Sequence, residues 1–182
     1  MHFVIREIRR EDAPSYREAL DEVCRERLYL AGLAAPPLKM TRTFVEGNIA
    51  RDNPHFVATI DGRVVGWCDA IPGAPSSGMS HVARMGMGVQ KAYRSLGIGR
   101  RLMEAVIAKA RRKGIEKIEL GVYASNRAAL ALYRSAGFAV EGKKVRARLV
   151  DGVYDDVLLM GLFLGKRESA KPAKGGDDRR GK

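Results

Sequence analysis

One stretch of the chain combines an arginine with two glycines, Arg94, Gly97 and Gly99, in the order R-x-x-G-x-G. The stretch follows a strand-like run and opens a helix-like one. Glycines let a ligand approach the main chain closely, and the free N–H groups of a first helical turn favour phosphate, as does the positive end of the helix dipole. The stretch lacks the third glycine of the dinucleotide fingerprint and the Lys-Ser/Thr pair of a P-loop. It therefore predicts an anion-binding loop of another type.

The rest of the chain must position this loop. Hydrophobic periodicity and turn residues predict seven strands and four helices in it. Asp61-Gly62 and Asp151-Gly152 are strong hairpin signals and indicate antiparallel pairs, whereas the strand–helix–strand order across 81–122 implies a parallel pair. The expected fold class is therefore α/β (α+β), with a single mixed, mostly antiparallel central sheet. The predicted strands are 2–8, 55–60, 63–70, 81–89, 115–122, 139–149 and 153–164, and the predicted helices run from 12 to about 30, from 41 to before 53, and over 97–113 and 126–135.

Length and composition limit the number of domains and the classes of partner. The 182 residues suit one compact domain, and a net charge of +12 with a pI near 10.0 attracts polyanions without choosing among them. We expect a domain over 1–164 and a basic, disordered tail over 165–182, because the tail has almost no apolar residues. Cys24 and Cys68 lack any zinc-site spacing, so no metal is expected. The charged amino terminus and the absence of a long apolar run predict a cytoplasmic protein without membrane association.

A second motif stands at Asn126 to Phe138, NRAALALYRSAGF. With it, the chain resembles the GCN5-related N-acetyltransferases (GNAT superfamily). Their coenzyme A motif [QR]-x-x-G-x-[GA] is matched by Arg94 to Gly99, and their N-x-x-A-x-x-L-Y-x-x-x-G-F signature by Asn126 to Phe138. The resemblance covers about Phe3 to Leu164, and within the family it is strongest to small bacterial amine or amino-acid acetyltransferases, on Gly66-Trp67 and DGVYDD at 151–156. It implies the GNAT-type fold and transfer of acetyl from acetyl-coenzyme A to a primary amine of a small molecule, by direct attack in a ternary complex.

The resemblance also implies where acetyl-coenzyme A binds. Main-chain groups of Met87 and Val89 would pair with the pantetheine arm and polarise the acetyl carbonyl. Asn126 would hydrogen-bond the cofactor, although an asparagine directly before a helix is equally a good N-cap. The residues expected to cradle the pyrophosphate are Arg94, Ser95, Leu96, Gly97, Ile98, Gly99 and Arg100.

Tyr133 of the second motif is the expected general acid, because a phenol within hydrogen-bond reach can protonate the departing thiolate. The alternative is an ordinary half-buried helix tyrosine. The base is less determined, since Gly121 stands where relatives commonly carry glutamate. Asp69 and His81 are candidates for the base or the amine site: if residues 71–80 loop back, the two come roughly opposite each other, and a carboxylate raises the pKa of a neighbouring imidazole.

Acceptor selection should fall to residues 29–44, a largely apolar segment that includes Tyr29 and Leu33, with Asp156 as a candidate binder of the substrate ammonium. A protein amino terminus or lysine is the alternative acceptor. A non-catalytic basic nucleic-acid-binding or coenzyme A-sensing domain is the alternative from another class. Nucleic acid is not expected as a partner, because no alternating aromatic platform accompanies the basic residues. Dimers are common among relatives, so a homodimer is one assembly that the resemblance allows.

Overall fold

A seven-stranded mixed sheet organises the chain in the computed structural model, which describes residues 2–165. The strand order is β1-β2-β3-β4-β5-β7-β6, and this architecture confirms the predicted fold class. The strands are β1 (Val4–Glu7), β2 (His55–Ile60), β3 (Arg63–Pro72), β4 (Val82–Val89), β5 (Lys117–Tyr123), β6 (Ala139–Val150) and β7 (Val153–Phe163), and the helices are α1 (Ala13–Arg25), α2 (Leu38–Ala50), α3 (Ile98–Arg112) and α4 (Arg127–Ser135).

The parallel pair sits in the middle of this sheet. Strands β4 and β5 pair in register only over Val82–Arg84 and Lys117–Glu119. Further along, β4 stays paired with β3 up to Val89, and β5 stays paired with β7 up to Tyr123. The carboxyl-terminal halves of β4 and β5 are therefore unpaired with each other, and we call the opening between them the β4–β5 gap.

Helices cover both faces of the sheet. On one face α3 and α4 bury an apolar cluster with the centre of the sheet, including Leu102, Val106, Ile118 and Met160. On the other face α1 and α2 pack on β2 and β3 through a second cluster that includes Trp67. The sheet thus presents two separate faces at the β4–β5 gap, one towards α3 and α4 and one towards α1 and α2.

Two helix boundaries differ from the expectation. Helix α1 ends at Arg25 and not near Leu30, because Arg27 adopts φ +57° and the side chains of Leu28 and Tyr29 are exposed, so no core contact rewards a further turn. Helix α2 begins at Leu38, three residues before Thr41, because Pro37 serves as its N-cap and a proline is tolerated where the first N–H groups are unpaired.

The remaining expectations of the sequence fall as follows. The predicted tail lies outside the described residues, apart from Gly165. Cys24 and Cys68 are buried free thiols. Within residues 2–165, no helix combines the length and the apolar character needed to cross a membrane.

Candidate active site

The loop from Arg94 to Arg100 delivers the main chain to the start of α3. Ser95 and Gly97 adopt φ of +63° and +81°, and Gly97 is the N-cap of the helix. No side chain caps this end of α3. The first N–H groups of a 15-residue helix are therefore left for a ligand, which is the arrangement that binds phosphate.

Gly99 brings α3 close to the sheet. A Cβ at this position would lie 3.3 Å from Cε of Met87 and 3.4 Å from Cδ2 of Leu132, which is tighter than ordinary packing. Ile98 beside it is buried in the core, whereas Leu96 is 47% exposed. Arg100 is exposed and lines a groove of about 350 Å³ between α3 and α4.

The Arg94 guanidinium is engaged within the protein. Its Nε donates to the carbonyl oxygen of Val89 at 2.9 Å, and both of its terminal nitrogens donate to the carboxylate of Glu26, one of them at 2.8 Å. The guanidinium carbon also lies 4.7 Å from the centroid of the Tyr29 ring. The positive charge that the sequence directed to the pyrophosphate is therefore paired with Glu26 in this structure.

Main-chain groups of β4 face the gap. The N–H of Gln90 donates to the Val65 carbonyl at 3.0 Å, so residue 90 points its main-chain groups at β3. Because these groups alternate along an antiparallel pair, those of Met87 and Val89 point the other way, into the β4–β5 gap. Both lie where β5 offers no pairing partner.

Tyr133 lies on α4, buried on the α3–α4 face of the sheet. Its ring packs against Phe138 with centroids 5.7 Å apart. Burial raises the pKa of Tyr133 above its ordinary value, and Cys68 adds a smaller contribution in the same direction. Tyr133 and Cys68 belong to the same buried cluster on this face. The hydroxyl is therefore protonated at neutral pH, and no hydrogen bond engages it within residues 2–165.

Asp69 follows Cys68 on β3 and so projects to the opposite face of the sheet, towards α1. Its partner on β4 is Gly86, and a Cβ there would lie 3.6 Å from both carboxylate oxygens. Burial raises the pKa of Asp69 to about 7. In the part of the chain that the structure describes, no hydrogen bond reaches this carboxylate. It is a buried acid poised to exchange a proton near neutral pH.

Comparison of the chain with known proteins identifies its family. The profile described as "Acetyltransferase (GNAT) family" matches residues 6–138. The chain belongs to the GNAT family. Among curated relatives, the L-amino acid N-acetyltransferase AaaT of Escherichia coli is 33% identical over 106 residues, which are 58% of this chain and 65% of the relative. The chain spans about 55 to 65% of the length of the first curated relatives that it matches.

Two solved structures of acetyltransferases share the fold. The phosphinothricin acetyltransferase of Sinorhizobium meliloti, in complex with AcCoA, superposes with a TM-score of 0.85 at 19% identity, covering 96% of this chain and 95% of that one. The ribosomal-protein-alanine N-acetyltransferase of Brucella melitensis has a TM-score of 0.81 at 27% identity, covering 88% and 99%.

His81 does not meet Asp69 in this GNAT protein, so the expected pairing of the two is wrong. Strand β3 runs on to Pro72, which pairs with Ala83, and Asp69 consequently pairs with Gly86, five residues beyond His81. That offset is roughly 16 Å along a strand. His81 is exposed before β4 begins, and its carbonyl accepts from Glu116 and Lys117. It lies at the paired end of β4, away from the gap.

The residue that lies beside Asp69 on the neighbouring strand is His55, which the sequence analysis did not identify. His55 is the ladder partner of Asp69 on β2 and is 1% exposed. Its Nδ1 contacts the Asn48 side-chain amide at 3.1 Å, and its Nε2 has no partner among the described residues. Burial lowers the pKa of His55 to about 4, so the ring is neutral at pH 7. It therefore adds no positive charge beside Asp69, whose pKa is raised by burial.

The other predicted site residues are more peripheral. Asn126 caps α4, accepting from the Ala129 N–H at 3.1 Å through Oδ1. Asp156 is held inside the β6–β7 hairpin by the Arg146 N–H at 2.8 Å and by Lys143 Nζ at 2.6 Å, which lower its pKa. Tyr29 and Leu33 are 36% and 41% exposed in the segment between α1 and α2. Because Asp156 is paired with Lys143 and Arg146 in the β6–β7 hairpin, the structure does not bring it together with Asp69.

Proposed function

We propose that this chain is an N-acetyltransferase that moves the acetyl group of acetyl-coenzyme A to the primary amine of a small molecule of the amino-acid class. One observation carries the proposal: an uncapped helix start and a buried phenol lie on one face of an unpaired gap in the sheet, and a buried, titratable carboxylate lies on the other. The active domain is proposed to extend over residues 1–164.

The cofactor would enter from the α3–α4 side. Its pyrophosphate would accept hydrogen bonds from main-chain N–H groups between Ser95 and Arg100, where no side chain competes for them. Its pantetheine arm would pair, as an added strand would, with the main-chain groups of Met87 and with the N–H of Val89, because the Val89 carbonyl already accepts from Arg94. The amide of Asn126, whose oxygen already caps α4, has N–H groups to donate.

The two proton transfers would then occur on opposite faces. Cys68 and Asp69 are consecutive residues of β3, so the phenol of Tyr133 near the one and the carboxylate of the other are separated by the thickness of the sheet. Direct attack needs a base where the amine approaches and an acid where the thiolate leaves. Asp69 would take the proton from the acceptor ammonium, and Tyr133 would give one to the sulfur. Each amine attack thus forms one C–N bond, breaks one C–S bond and releases the thiol. The second proton that the nitrogen loses as the amide forms replaces the one given up by Tyr133, and the proton on Asp69 passes to solvent.

The acceptor class rests on residues 29–44, which join α1 to α2 and include the start of α2. This segment exposes Tyr29, Leu33, Met40 and Phe44, which suits a small acceptor with an apolar side chain. Phe44 contacts His55, the neighbour of Asp69 on β2. AaaT of Escherichia coli is by its name an L-amino acid N-acetyltransferase. A protein amino terminus is the second candidate acceptor, favoured by the likeness to the Brucella melitensis ribosomal-protein-alanine N-acetyltransferase at 27% identity.

An acceptor panel tests the proposal. Thiol release from acetyl-coenzyme A is measured with the twenty L-amino acids, phosphinothricin, a polyamine and peptides with free alanine amino termini. We expect the fastest turnover with an apolar L-amino acid. Preferred turnover of the peptides would move the acceptor class to proteins, and no thiol release above the amine-free rate with any acceptor would contradict the proposed function.

A substitution in the anion loop tests the cofactor site separately. We expect Gly97→Glu to weaken acetyl-coenzyme A binding at least about tenfold, because the left-handed backbone of Gly97 strains any side chain and a carboxylate beside the phosphates repels them. Calorimetry measures the affinity. Gly114→Glu is the matched control, since Gly114 also has a left-handed backbone and open space but lies at the far end of α3. A folded Gly97→Glu protein with parental affinity would remove the cofactor assignment.

A further inference from the structure

Residues 26–29, which follow α1, cross the open end of the β4–β5 gap. Strands β4 and β5 are parallel, so their carboxyl ends lie at the same edge of the sheet. The loop holding Arg94 follows β4 at that edge. The β6–β7 turn at Asp151 reaches the same edge, because β7 runs antiparallel to β5. Residues 26–29 contact both sides, and we call them the tie segment.

The first anchor of the tie segment is on the β4 side. Glu26 accepts from both terminal nitrogens of Arg94, whose Nε holds the Val89 carbonyl at the end of β4 and whose plane lies over Tyr29. The side chains of Arg94 and Glu26 are 30% and 17% exposed, so this bidentate pair is partly shielded from water. Through one guanidinium, the end of β4 is joined to both ends of the tie segment.

The second anchor is on the β5–β7 side. Arg27 donates through Nε and Nη2 to the two carboxylate oxygens of Asp151, at 2.8 and 2.6 Å. Arg148 donates to the carbonyl oxygen of Arg27, and its guanidinium lies 4.6 Å from the centroid of the Tyr123 ring at the end of β5. These contacts hold Arg27 in a left-handed conformation that a non-glycine residue rarely adopts.

We propose that Glu26 and Arg27 are positioning residues that tie the start of the acceptor segment across the two halves of the split sheet, so that Arg94 serves acceptor binding rather than pyrophosphate binding. The acceptor in this proposal is that of the proposed function, whereas the contacts of Glu26 and Arg27 do not depend on that function. The segment that carries Tyr29 and Leu33 follows this tie directly, and the helices on either side of it, α1 and α2, pack on the face of the sheet towards which Asp69 projects. Loss of either anchor frees the segment without touching the α3 amides.

Kinetics of Glu26→Ala tests the first anchor. We expect KM for the fastest L-amino acid of the panel to rise about tenfold, as loss of a bidentate, charge-assisted pair implies. The kcat and the calorimetric Kd for acetyl-coenzyme A should stay within about twofold, because only uniform acceptor binding is lost. Glu18→Ala is the matched control: Glu18 also lies on α1 and pairs with an arginine, Arg63, but that pair is exposed and ties α1 to the start of β3 rather than to β4, β5 or the tie segment. It should be parental in all three quantities.

Limited proteolysis of Asp151→Asn tests the second anchor without any acceptor. Cleavage by trypsin after Arg27 requires local opening of the tie segment, and its rate in the native protein follows the population of the open form. We expect this cleavage to accelerate several-fold over the parent, with Glu18→Ala unchanged.

The outcomes separate the tie from the proposed function. A Glu26→Ala protein that binds acetyl-coenzyme A tenfold more weakly with unchanged acceptor KM would overturn the proposal, since Arg94 would then serve the cofactor. Parental proteolysis of Asp151→Asn would overturn the second anchor. If no amine is acetylated by the parent, the proposed function fails, whereas faster cleavage after Arg27 would still support the tie.

Discussion

Replacement of Tyr133 by phenylalanine is expected to lower kcat by about 10² to 10⁴-fold, the range typical for loss of a general acid. The phenol is buried, its raised pKa keeps it protonated, and no other group within the described residues takes its hydrogen bond. It is therefore a donor without an internal partner, on the face of the sheet where the thiolate would leave. In free energy the loss corresponds to roughly 3 to 5 kcal/mol at the transition state.

The same substitution should change folding little. The ring and its contact with Phe138 remain, and the hydroxyl makes no hydrogen bond whose loss could cost the usual 1 kcal/mol or so. Melting temperature and calorimetric affinity for acetyl-coenzyme A are the controls, and both should be parental. If thiol release at saturating amine stays within about threefold of the parent, Tyr133 is structural and water protonates the leaving group.

Local signals in the sequence were sufficient for most of the fold. Asp61-Gly62 and Asp151-Gly152 each form the predicted hairpin, because this dipeptide adopts the positive φ values that a two-residue turn needs. Gly97 and Gly114 bound α3 within one or two residues of the prediction for the same backbone reason. The end of α1 was not predictable in this way, since it depends on the tertiary contacts of Arg27 with Asp151 and Arg148.

The surroundings of Asp69 required tertiary information of another kind. A regular ladder from the turn pair Ile60 and Arg63 would place His55 opposite Cys68. A bulge between Ala58 and Thr59 shifts the register by one residue, and His55 then faces Asp69. Because side chains alternate in a strand, a one-residue shift exchanges the faces of the sheet. The inserted residue is Val65 of β3, beside Gly66. An isolated glycine within a strand indicates a bulge but does not specify which residue is inserted, so the pairing of His55 with Asp69 could not be derived from the sequence.

The pairing of Arg94 is likewise non-local. The motif R-x-x-G-x-G predicted the loop geometry, which depends on neighbouring residues in the chain. It did not predict Glu26, which is 68 residues away and reaches the loop only because α1 lies on β3 and β4. Backbone conformation was thus predictable at this site, whereas the destination of its charged side chain was not.

Replacement of Asp69 by asparagine is expected to lower kcat/KM by about 10² to 10⁴-fold and to change its pH dependence. In the parent, activity should rise with pH through the pKa of Asp69, which burial raises to about 7, because only the carboxylate can take a proton from the ammonium. Asparagine cannot act as a base, so the variant should lose this inflection. A parental pH profile in Asp69→Asn would exclude Asp69 as the base, and Glu119→Gln, which alters a carboxylate of β5 paired with Lys117, is the matched control.

Stability gives an independent reading of the same carboxyl group. The pKa of Asp69 is raised from 3.8 when unfolded to about 7 when folded, so between these values the folded protein binds the extra proton and its stability falls as pH rises. Below about pH 4 the burial of Asp69 carries no charge penalty, and above about pH 7 the penalty is complete. The melting temperature of Asp69→Asn should therefore rise relative to that of the parent from pH 4 to pH 7, and the difference between the two should then stay constant. A constant difference over this range would mean that Asp69 titrates near its unfolded pKa, and such a group would be mostly charged at neutral pH and a weak base for an ammonium proton.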